Sequence, residues 1–171
     1  NKGGTANITM KGGIVNGGIY GGSNYTGTLS GDVTIQIDGG QVGTTSQTAS
    51  IFGGGYGQTT TVNGNVSVTL GTCNAGDVTV YGDVYGGSAL GTVNDASSDK
   101  TTVSLYNGTI RGGIYGGGYG PGGVAANVNG AVEVKVFGGS VLCSESDPQG
   151  EAGSGSVFGC NNAGGAPQST V

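Results

Sequence analysis

The sequence predicts an all-β fold, a right-handed parallel β-helix (β-solenoid), and two observations support this prediction. Glycine accounts for 42 of the 171 residues, and β-branched residues are regularly spaced between the glycines. Two different sequence motifs also recur about every thirty residues along the chain. A repeat of this size cannot bury an apolar face by itself, and it does so by stacking on its neighbours. The handedness follows from the rule for parallel crossover connections.

The first motif is a strand in which apolar and polar residues alternate. It is clearest in VTIQI (33–37), VSVTL (66–70) and VEVKV (132–136). A period of two with β-branched residues is typical of a strand with one buried face. The residues predicted to point inward are Ile8, Met10, Val33, Ile35, Ile37, Val66, Val68, Leu70, Val103, Leu105, Val132, Val134 and Val136.

The second motif is an aliphatic residue, an aromatic residue and a glycine, as in IYGG (19–22) and VYGG (84–87). Its copies begin at Ile19, Ile51, Val84, Ile114 and Val157, so the steps are 32, 33, 30 and 43 residues. A repeat of about thirty residues accommodates three short strands and three turns. Glycine pairs suit the turns because glycine reaches positive φ without steric cost. We therefore expect one domain over residues 1–171, with about five three-sided coils.

Irregular spacing of the repeats predicts three insertions. They lie between Val42 and Ile51, between Leu70 and Val84, and between Val141 and Val157. Insertions in a solenoid protrude from one edge, which is often the binding edge. All three follow what we take to be the same strand of the repeat, so we expect them on one side of the molecule.

Composition argues against two classes of partner. Five basic and ten acidic residues give a net charge of −5, and the basic residues are scattered. Binding to nucleic acid or to an anionic membrane surface requires clustered positive charge. No apolar run approaches the roughly 18–20 residues of a membrane span. We predict no nucleic-acid partner, no membrane insertion and no cofactor.

The combined pattern resembles the glycine-rich repeats of large surface or secreted proteins of gut bacteria. The residues that carry the resemblance are ITMKGGIVNGGIYGGS (8–23) and VSLYNGTIRGGIYGGGYG (103–120). The resemblance implies a parallel β-helix on the bacterial exterior, an adhesin-like role and no catalytic residues. Two features depart from the pattern: Cys160 replaces a motif glycine, and the last coil carries a long insertion.

Aromatic residues are the main candidates for a binding site. One motif position holds an aromatic side chain in each coil: Tyr20, Phe52, Tyr85, Tyr115 and Phe158. If these rings point outward they form a platform for sugar rings, and if they point inward they form a core stack. The two phenylalanines favour packing over sugar binding. A second, less regular column is expected from Tyr25, Tyr56, Leu90 and Tyr119.

The last insertion contains the remaining candidate groups. Glu145, Asp147 and Glu151 are candidate calcium ligands, because carboxylate oxygens form calcium cages, although such a run is also typical of a solvated loop. Cys143 and Cys160 would close the insertion with a disulfide bond in an oxidising compartment. Their alternative role is that of small apolar residues with free thiols.

The function predicted from these features is that of a non-enzymatic structural or adhesive module. The chain has no histidine, so a general base would have to be Asp, Glu, Lys or Tyr, and the repeat creates no column of paired acids. We expect an extracellular or cell-surface bacterial protein whose partner is a host or bacterial surface protein or glycan. The ends of the repeat lack capping segments, which predicts a segment of a longer array or end-to-end self-association. The alternative is a β-helix that binds or cleaves carbohydrate, as polysaccharide lyases and hydrolases do.

Overall fold

The structure, a computed structural model, describes residues 4–73 and 77–166 and confirms the parallel β-solenoid. The chain passes through five rungs, each consisting of four short strands in succession. The first and last rungs are separated by four full turns, so the number of turns differs slightly from the five coils predicted.

The strands have the following bounds. Rung 1 contains β1 (Ala6–Met10), β2 (Ile14–Val15), β3 (Ile19–Tyr20) and β4 (Asn24–Leu29). Rung 2 contains β5 (Val33–Ile37), β6 (Gly40–Val42), β7 (Ile51–Phe52) and β8 (Tyr56–Val62). Rung 3 contains β9 (Val66–Leu70), β10 (Val78–Val80), β11 (Val84–Tyr85) and β12 (Thr92–Val93). Rung 4 contains β13 (Lys100–Leu105), β14 (Thr109–Ile110), β15 (Ile114–Tyr115) and β16 (Tyr119–Gly120). Rung 5 contains β17 (Ala131–Val136), β18 (Ser140–Val141), β19 (Val157–Phe158) and β20 (Asn162–Ala163).

Each coil has four sides, whereas three were predicted. The first, second and third strands of the rungs form three five-stranded parallel sheets, here called A, B and C. The fourth strands form sheet D, which consists of β4-β8-β12 and of β16-β20. Ala89 joins the two parts of sheet D by bridges to Tyr56 and Tyr119. Sequence reasoning missed this side because NYTGTL and YGQTTTV do not alternate as the strands of sheet A do.

The core is a stack of aliphatic side chains that point inward from all four sides. In sheet A, Ile35 pairs in register with Val68, which pairs with Val103, and all three are fully buried. Most of the predicted inward residues are confirmed in this core, but Ile8, Val132 and Val134 are only partly buried. Val136 lies in the same inward column, in register with Leu105, but its side chain is 50% exposed. Among the described residues, β17 pairs on one side only, so nothing covers this end of the column.

Glycine is required after the aromatic residue in rungs 1 to 4 because the backbone of the next rung approaches closely there. A Cβ placed on Gly53 would overlap the carbonyl oxygen of Gly86 and the side chain of Val66. Gly21, Gly86 and Gly116 are equally crowded by the next rung. The repeated glycine therefore reflects tight stacking of the rungs at a corner of the solenoid.

Helical structure is confined, within the described residues, to one 3₁₀ turn at Pro121–Gly123. In the same part of the chain, no helix has the length and apolar character needed to cross a membrane.

Candidate functional site

The predicted aromatic column exists and forms a continuous stack, here called the aromatic ladder. Its members are Tyr20, Phe52, Tyr85, Tyr115 and Phe158. Successive ring centroids are 5.2, 4.7, 4.9 and 4.9 Å apart, and neighbouring ring planes differ by 1 to 11°. The three central rings are buried, Tyr20 is half-buried and Phe158 is 40% exposed. Neighbouring rings cover each other's faces along the ladder, so the central faces are not free to stack on a sugar.

Hydrogen bonds fix the centre of the ladder. The Tyr85 hydroxyl donates to Oδ2 of Asp83 over 2.9 Å and accepts from Nδ2 of Asn162 over 2.9 Å. Oδ1 of Asp83 accepts a hydrogen bond from the amide of Gly113 over 2.7 Å. Burial, and then the charge of Asp83, raises the pKa of Tyr85 well above its ordinary value. Burial followed by the Asp83 and Asp147 charges raises the pKa of Tyr115 to about 12.

The second aromatic column is displaced by one residue from its predicted position. In sheet D, Tyr56 is in register with Asn24, Ala89 and Tyr119, and Tyr119 pairs with Asn162. Tyr25 and Leu90, which were assigned to this column, have positive φ angles of 63° and 75°. Tyr25 lies on the surface and meets the ring of Tyr56 edge to face at 5.6 Å. The predicted column is therefore wrong in register, although Tyr56 and Tyr119 belong to it.

Two of the three predicted insertions leave the solenoid at the same corner, the connection from sheet B to sheet C. Residues 43–50 follow β6 in rung 2, and residues 142–156 follow β18 in rung 5. Rungs 3 and 4 cross this corner with the short segments 81–83 and 111–113. The third insertion was wrongly placed, because its sequence contains β10 and its extra residues lie between sheets A and B. Residues 74–76 of that segment lie outside the described part of the chain.

The two loops border a groove over the short corners of rungs 3 and 4, here called the corner groove. A cavity of about 190 Å³ is lined by Ser50, Asp83 and Arg111 from three successive rungs, together with residues of the 142–156 loop. An adjoining cavity of about 50 Å³ is lined by Tyr81, Arg111 and Glu145. Hydroxyl groups from both loops complete the lining: Thr45, Thr48, Ser50, Ser144, Ser146 and Ser154.

Arg111 lies where the two cavities meet. It is the only arginine of the chain and is half-buried. Within the described residues the Arg111 guanidinium makes no ion pair and no side-chain hydrogen bond. The ion pairs found there join Glu133 to Lys100 and Lys135. The planar guanidinium presents five donors and suits carboxylates and other planar acceptors. The corner groove therefore offers an available donor group surrounded by hydroxyls.

The candidate metal ligands in the 142–156 loop have different surroundings. Oδ2 of Asp147 accepts hydrogen bonds from the amides of Ala152 and Ser154, each over 3.1 Å. Desolvation acts to raise the pKa of Asp147, but hydrogen bonds from Ser154, Ala152 and Glu151 outweigh it and lower the pKa. Glu145 and Glu151 are exposed. No set of three potential ligands among the described residues is placed to hold a metal ion.

The cysteines predicted as a possible pair are both free thiols in the structure. Cys143 is exposed, and its Sγ lies 3.8 Å from the carbonyl oxygen of Ser154, within its own loop. Cys160 is half-buried, and Cys73 is exposed.

Sequence reasoning singled out the aromatic ladder and missed most of the groove. Asp83, Arg111, Tyr81 and the loop hydroxyls were not predicted as a site. The usable signal was the position of two of the predicted insertions, which follow the strands ending in Val42 and Val141. Loops that follow equivalent strands emerge at the same corner, which brings their side chains together.

A scan against protein-family models and searches of curated proteins and of solved structures found no match.

Proposed function

We propose that the chain is a non-enzymatic structural and adhesive module of a secreted or cell-surface bacterial protein, and that the corner groove is its partner-binding edge. The observation that carries the proposal is the convergence of two loops, from rungs 2 and 5, over the short corners between them. Loops that are not needed to close a coil, yet meet at one edge, are typical of binding surfaces on solenoids.

The rest of the solenoid is suited to hold this edge rigidly. Three sheets run through all five rungs, and their inward side chains form one continuous core. The aromatic ladder adds a column of stacked rings, and each such contact contributes about 0.5–1.5 kcal/mol beyond burial. A rigid support holds the loop ends in place, which lowers the entropy lost when a partner binds.

The charged groups of the groove support binding more than catalysis. Asp83 accepts hydrogen bonds from the Gly113 amide and the Tyr85 hydroxyl, and Asp147 accepts two from backbone amides. A carboxylate held in this way anchors the backbone around it. Arg111 and the hydroxyls of Thr45 and Thr48 make no side-chain hydrogen bond within the described residues and are available to a partner, whose matching groups would be carboxylates, carbonyls or sugar hydroxyls.

An adhesion assay tests the proposal. In the test variant, residues 43–50 and 142–156 are each replaced by Tyr-Gly-Asp, the sequence with which rung 3 crosses the same corner. Beads coated with wild type should adhere to bacterial or epithelial cells, and the variant should adhere about tenfold less. Arg111→Ala should weaken adhesion too, and Lys11→Ala, which removes a cation far from the groove, should not. Wild-type beads that adhere no better than bare beads, or a variant that adheres equally well, would contradict the proposal.

Carbohydrate binding is the second candidate, and Tyr81 is the observation that favours it. Its ring lines the groove beside Arg111 and several hydroxyls, as expected of a site for a sugar ring. Cavities of about 190 and 50 Å³ are smaller than the roughly 300–1,000 Å³ of a typical ligand pocket, so one sugar unit is the suitable size. A glycan array would show binding that Tyr81→Ala removes and Tyr106→Ala retains. Release of reducing ends from a bound polysaccharide would instead favour the cleaving alternative.

A further inference from the structure

Sheet A passes into sheet B through a corner at which rung 4 differs from the rungs around it. In rungs 1, 2 and 5 a pair of glycines occupies this corner, at residues 12–13, 39–40 and 138–139. In rung 4 the pair is Asn107 and Gly108, and rung 3 has its inserted segment there. Asn107 therefore places an amide side chain where rungs 1, 2 and 5 have none.

The second residue of the pair is held in a conformation that favours glycine. Gly108 has a φ of 114°, and the equivalent glycines of rungs 1, 2 and 5 also have positive φ. A Cβ on Gly108 would overlap the carbonyl oxygen of Val78 in rung 3. The residue that follows Asn107 is thus a glycine for structural reasons, and no side chain shields its backbone nitrogen.

The side-chain amide of Asn107 lies against that nitrogen. Oδ1 of Asn107 accepts a hydrogen bond from the amide of Gly108 over 2.9 Å. Because Oδ1 is bonded to Cγ, this contact holds the Gly108 nitrogen beside an electrophilic carbon. Two reacting groups that the fold holds together react with much of the entropic cost already met. Asn107 is also exposed, so water has access to it.

We propose that Asn107 is a site of spontaneous deamidation, which proceeds through a cyclic imide formed with Gly108. The Gly108 nitrogen loses its proton to solvent, and its electron pair forms a bond to Cγ of Asn107. The bond between Cγ and Nδ2 breaks, and Nδ2 takes a proton from solvent and leaves as ammonia. Water then opens the imide. Addition at Cγ gives an aspartate at position 107, and addition at the main-chain carbonyl carbon gives an isoaspartate.

Two other Asn-Gly pairs are held in different contacts. The amide of Gly64 donates to the carbonyl oxygen of Gly31 over 3.3 Å, so its nitrogen is engaged with another coil and not with the Asn63 side chain. Nδ2 of Asn129 donates to the carbonyl oxygen of Asn94 over 3.0 Å, which ties this side chain to the preceding rung. These hydrogen bonds must break before an imide can form at either pair.

The fourth pair, Asn16 and Gly17, provides the matched reference. Asn16 is exposed like Asn107, but within the described residues its side chain makes no hydrogen bond. The two sites therefore share their dipeptide sequence and their exposure. They differ in the contact that holds the glycine nitrogen beside Cγ.

Peptide mapping by mass spectrometry tests the proposal. The folded protein is incubated at mildly alkaline pH in heavy-oxygen water, which labels each carboxyl group that forms. Because displacing the reacting atoms by about 1 Å costs about a hundredfold in rate, Asn107 should react at least about tenfold faster than Asn63 and Asn129 and about threefold faster than Asn16. In the urea-unfolded chain the four sites should react at similar rates. An unmodified Asn107, a faster reaction at any of the other three sites, or the same ranking in the unfolded chain would overturn the proposal.

The products of the reaction change the contact between rungs 4 and 5. The carbonyl oxygen of Gly108 accepts a hydrogen bond from the amide of Ser140 over 2.8 Å. A Cβ on Gly139 would overlap the same oxygen, so the two rungs are close together at this corner. Isoaspartate lengthens the main chain by one carbon just before Gly108, which displaces this carbonyl and weakens its bond to β18. That strand leads into the 142–156 loop, one border of the corner groove.

Hydrogen exchange on the aged protein tests this consequence. In wild type incubated as above, the Ser140 amide should exchange about tenfold faster than in fresh protein, since one backbone hydrogen bond is weakened. Asn107→Gln is the matched control, because its longer side chain requires a six-membered ring and forms an imide more slowly. The aged variant should therefore keep the exchange rate of fresh protein. Unchanged exchange at Ser140 in aged wild type, or equal acceleration in the aged variant, would refute the link between Asn107 and β18.

Discussion

The hydroxyl of Tyr85 donates a hydrogen bond to Oδ2 of Asp83 over 2.9 Å, and this bond joins the aromatic ladder to the corner groove. Tyr85 is 2% exposed, and Asp83 lines the groove. Asp83 also accepts the amide of Gly113 from the next rung. One carboxylate therefore fixes a ladder ring and the neighbouring corner together.

Tyr85→Phe should destabilise the protein by about 1.5 kcal/mol or more, because a hydrogen bond to a charged group contributes about 1.5–3 kcal/mol. A phenylalanine fits the ladder sterically, since Phe52 occupies the equivalent position one rung earlier. Urea unfolding measures the change. Tyr20→Phe is the control, because the Tyr20 hydroxyl makes no hydrogen bond within the described residues, and equal losses in the two variants would contradict the prediction.

Alkaline pH should unfold the protein through the ladder tyrosines. The ordinary pKa is 10.0, and in the folded protein the pKa of Tyr115 is raised to about 12, so the folded state favours the neutral phenol. This contribution to stability is fully present below pH 10 and is lost as the pH rises through 12. Tyr85 and Tyr20 also have raised pKa values and act in the same direction.

Ultraviolet absorbance of phenolate, followed together with circular dichroism, measures this behaviour. The tyrosines of the ladder should ionise together with unfolding, well above pH 10. Ionisation of all tyrosines in a single step near pH 10, with the fold retained, would show that the ladder does not shift these pKa values.

The sequence was sufficient to predict sheet A and sheet C because their residues face a core in a fixed alternation. Ile35 and Val68 must point inward, since a shift of one residue would expose the apolar face. Sheet D could not be predicted in this way, because Thr59 and Thr60 differ in burial although both are polar. Register there depends on tertiary contacts, such as the hydrogen bond from the Thr59 hydroxyl to the Tyr25 carbonyl of the preceding rung.

The candidate site was harder to predict than the fold because it is assembled from separate rungs. Arg111 and Asp83 are 28 residues apart in sequence and meet only when rungs 3 and 4 stack. Ser50 and Ser154 come from loops in rungs 2 and 5. The repeat period predicts which residues share a column, but loop residues have no counterpart in other rungs.

Asp147→Ala should loosen the 142–156 loop without unfolding the solenoid. The carboxylate accepts hydrogen bonds from the amides of Ala152 and Ser154, and these would be lost. Hydrogen exchange should become faster at these two amides and remain slow in sheet A. Glu145→Ala, an exposed acid of the same loop, is the matched control. Faster exchange in both variants would indicate a general effect of charge.

The same loop should respond to acid. The pKa of Asp147 is lowered in the folded protein, so its contribution to loop order is present above the ordinary pKa of 3.8. This contribution is lost as the pH falls through the lowered pKa, because the protonated carboxyl no longer accepts both amides as well. Exchange at Ala152 and Ser154, corrected for intrinsic rates, should increase only below the ordinary pKa. An increase that begins near neutral pH would contradict this assignment.

Gly86→Ala and Gly159→Ala should differ sharply although they change the same position of the repeat. A Cβ on Gly86 overlaps the Gly116 carbonyl oxygen and the side chain of Thr101, so the substitution should cost about 1–3 kcal/mol, as overpacking typically does. Gly159 is in the last rung and has open space at the Cβ position. Urea unfolding should therefore show a large loss of stability for Gly86→Ala and almost none for Gly159→Ala. Equal losses would mean that the glycine is required by backbone conformation and not by the approach of the next rung.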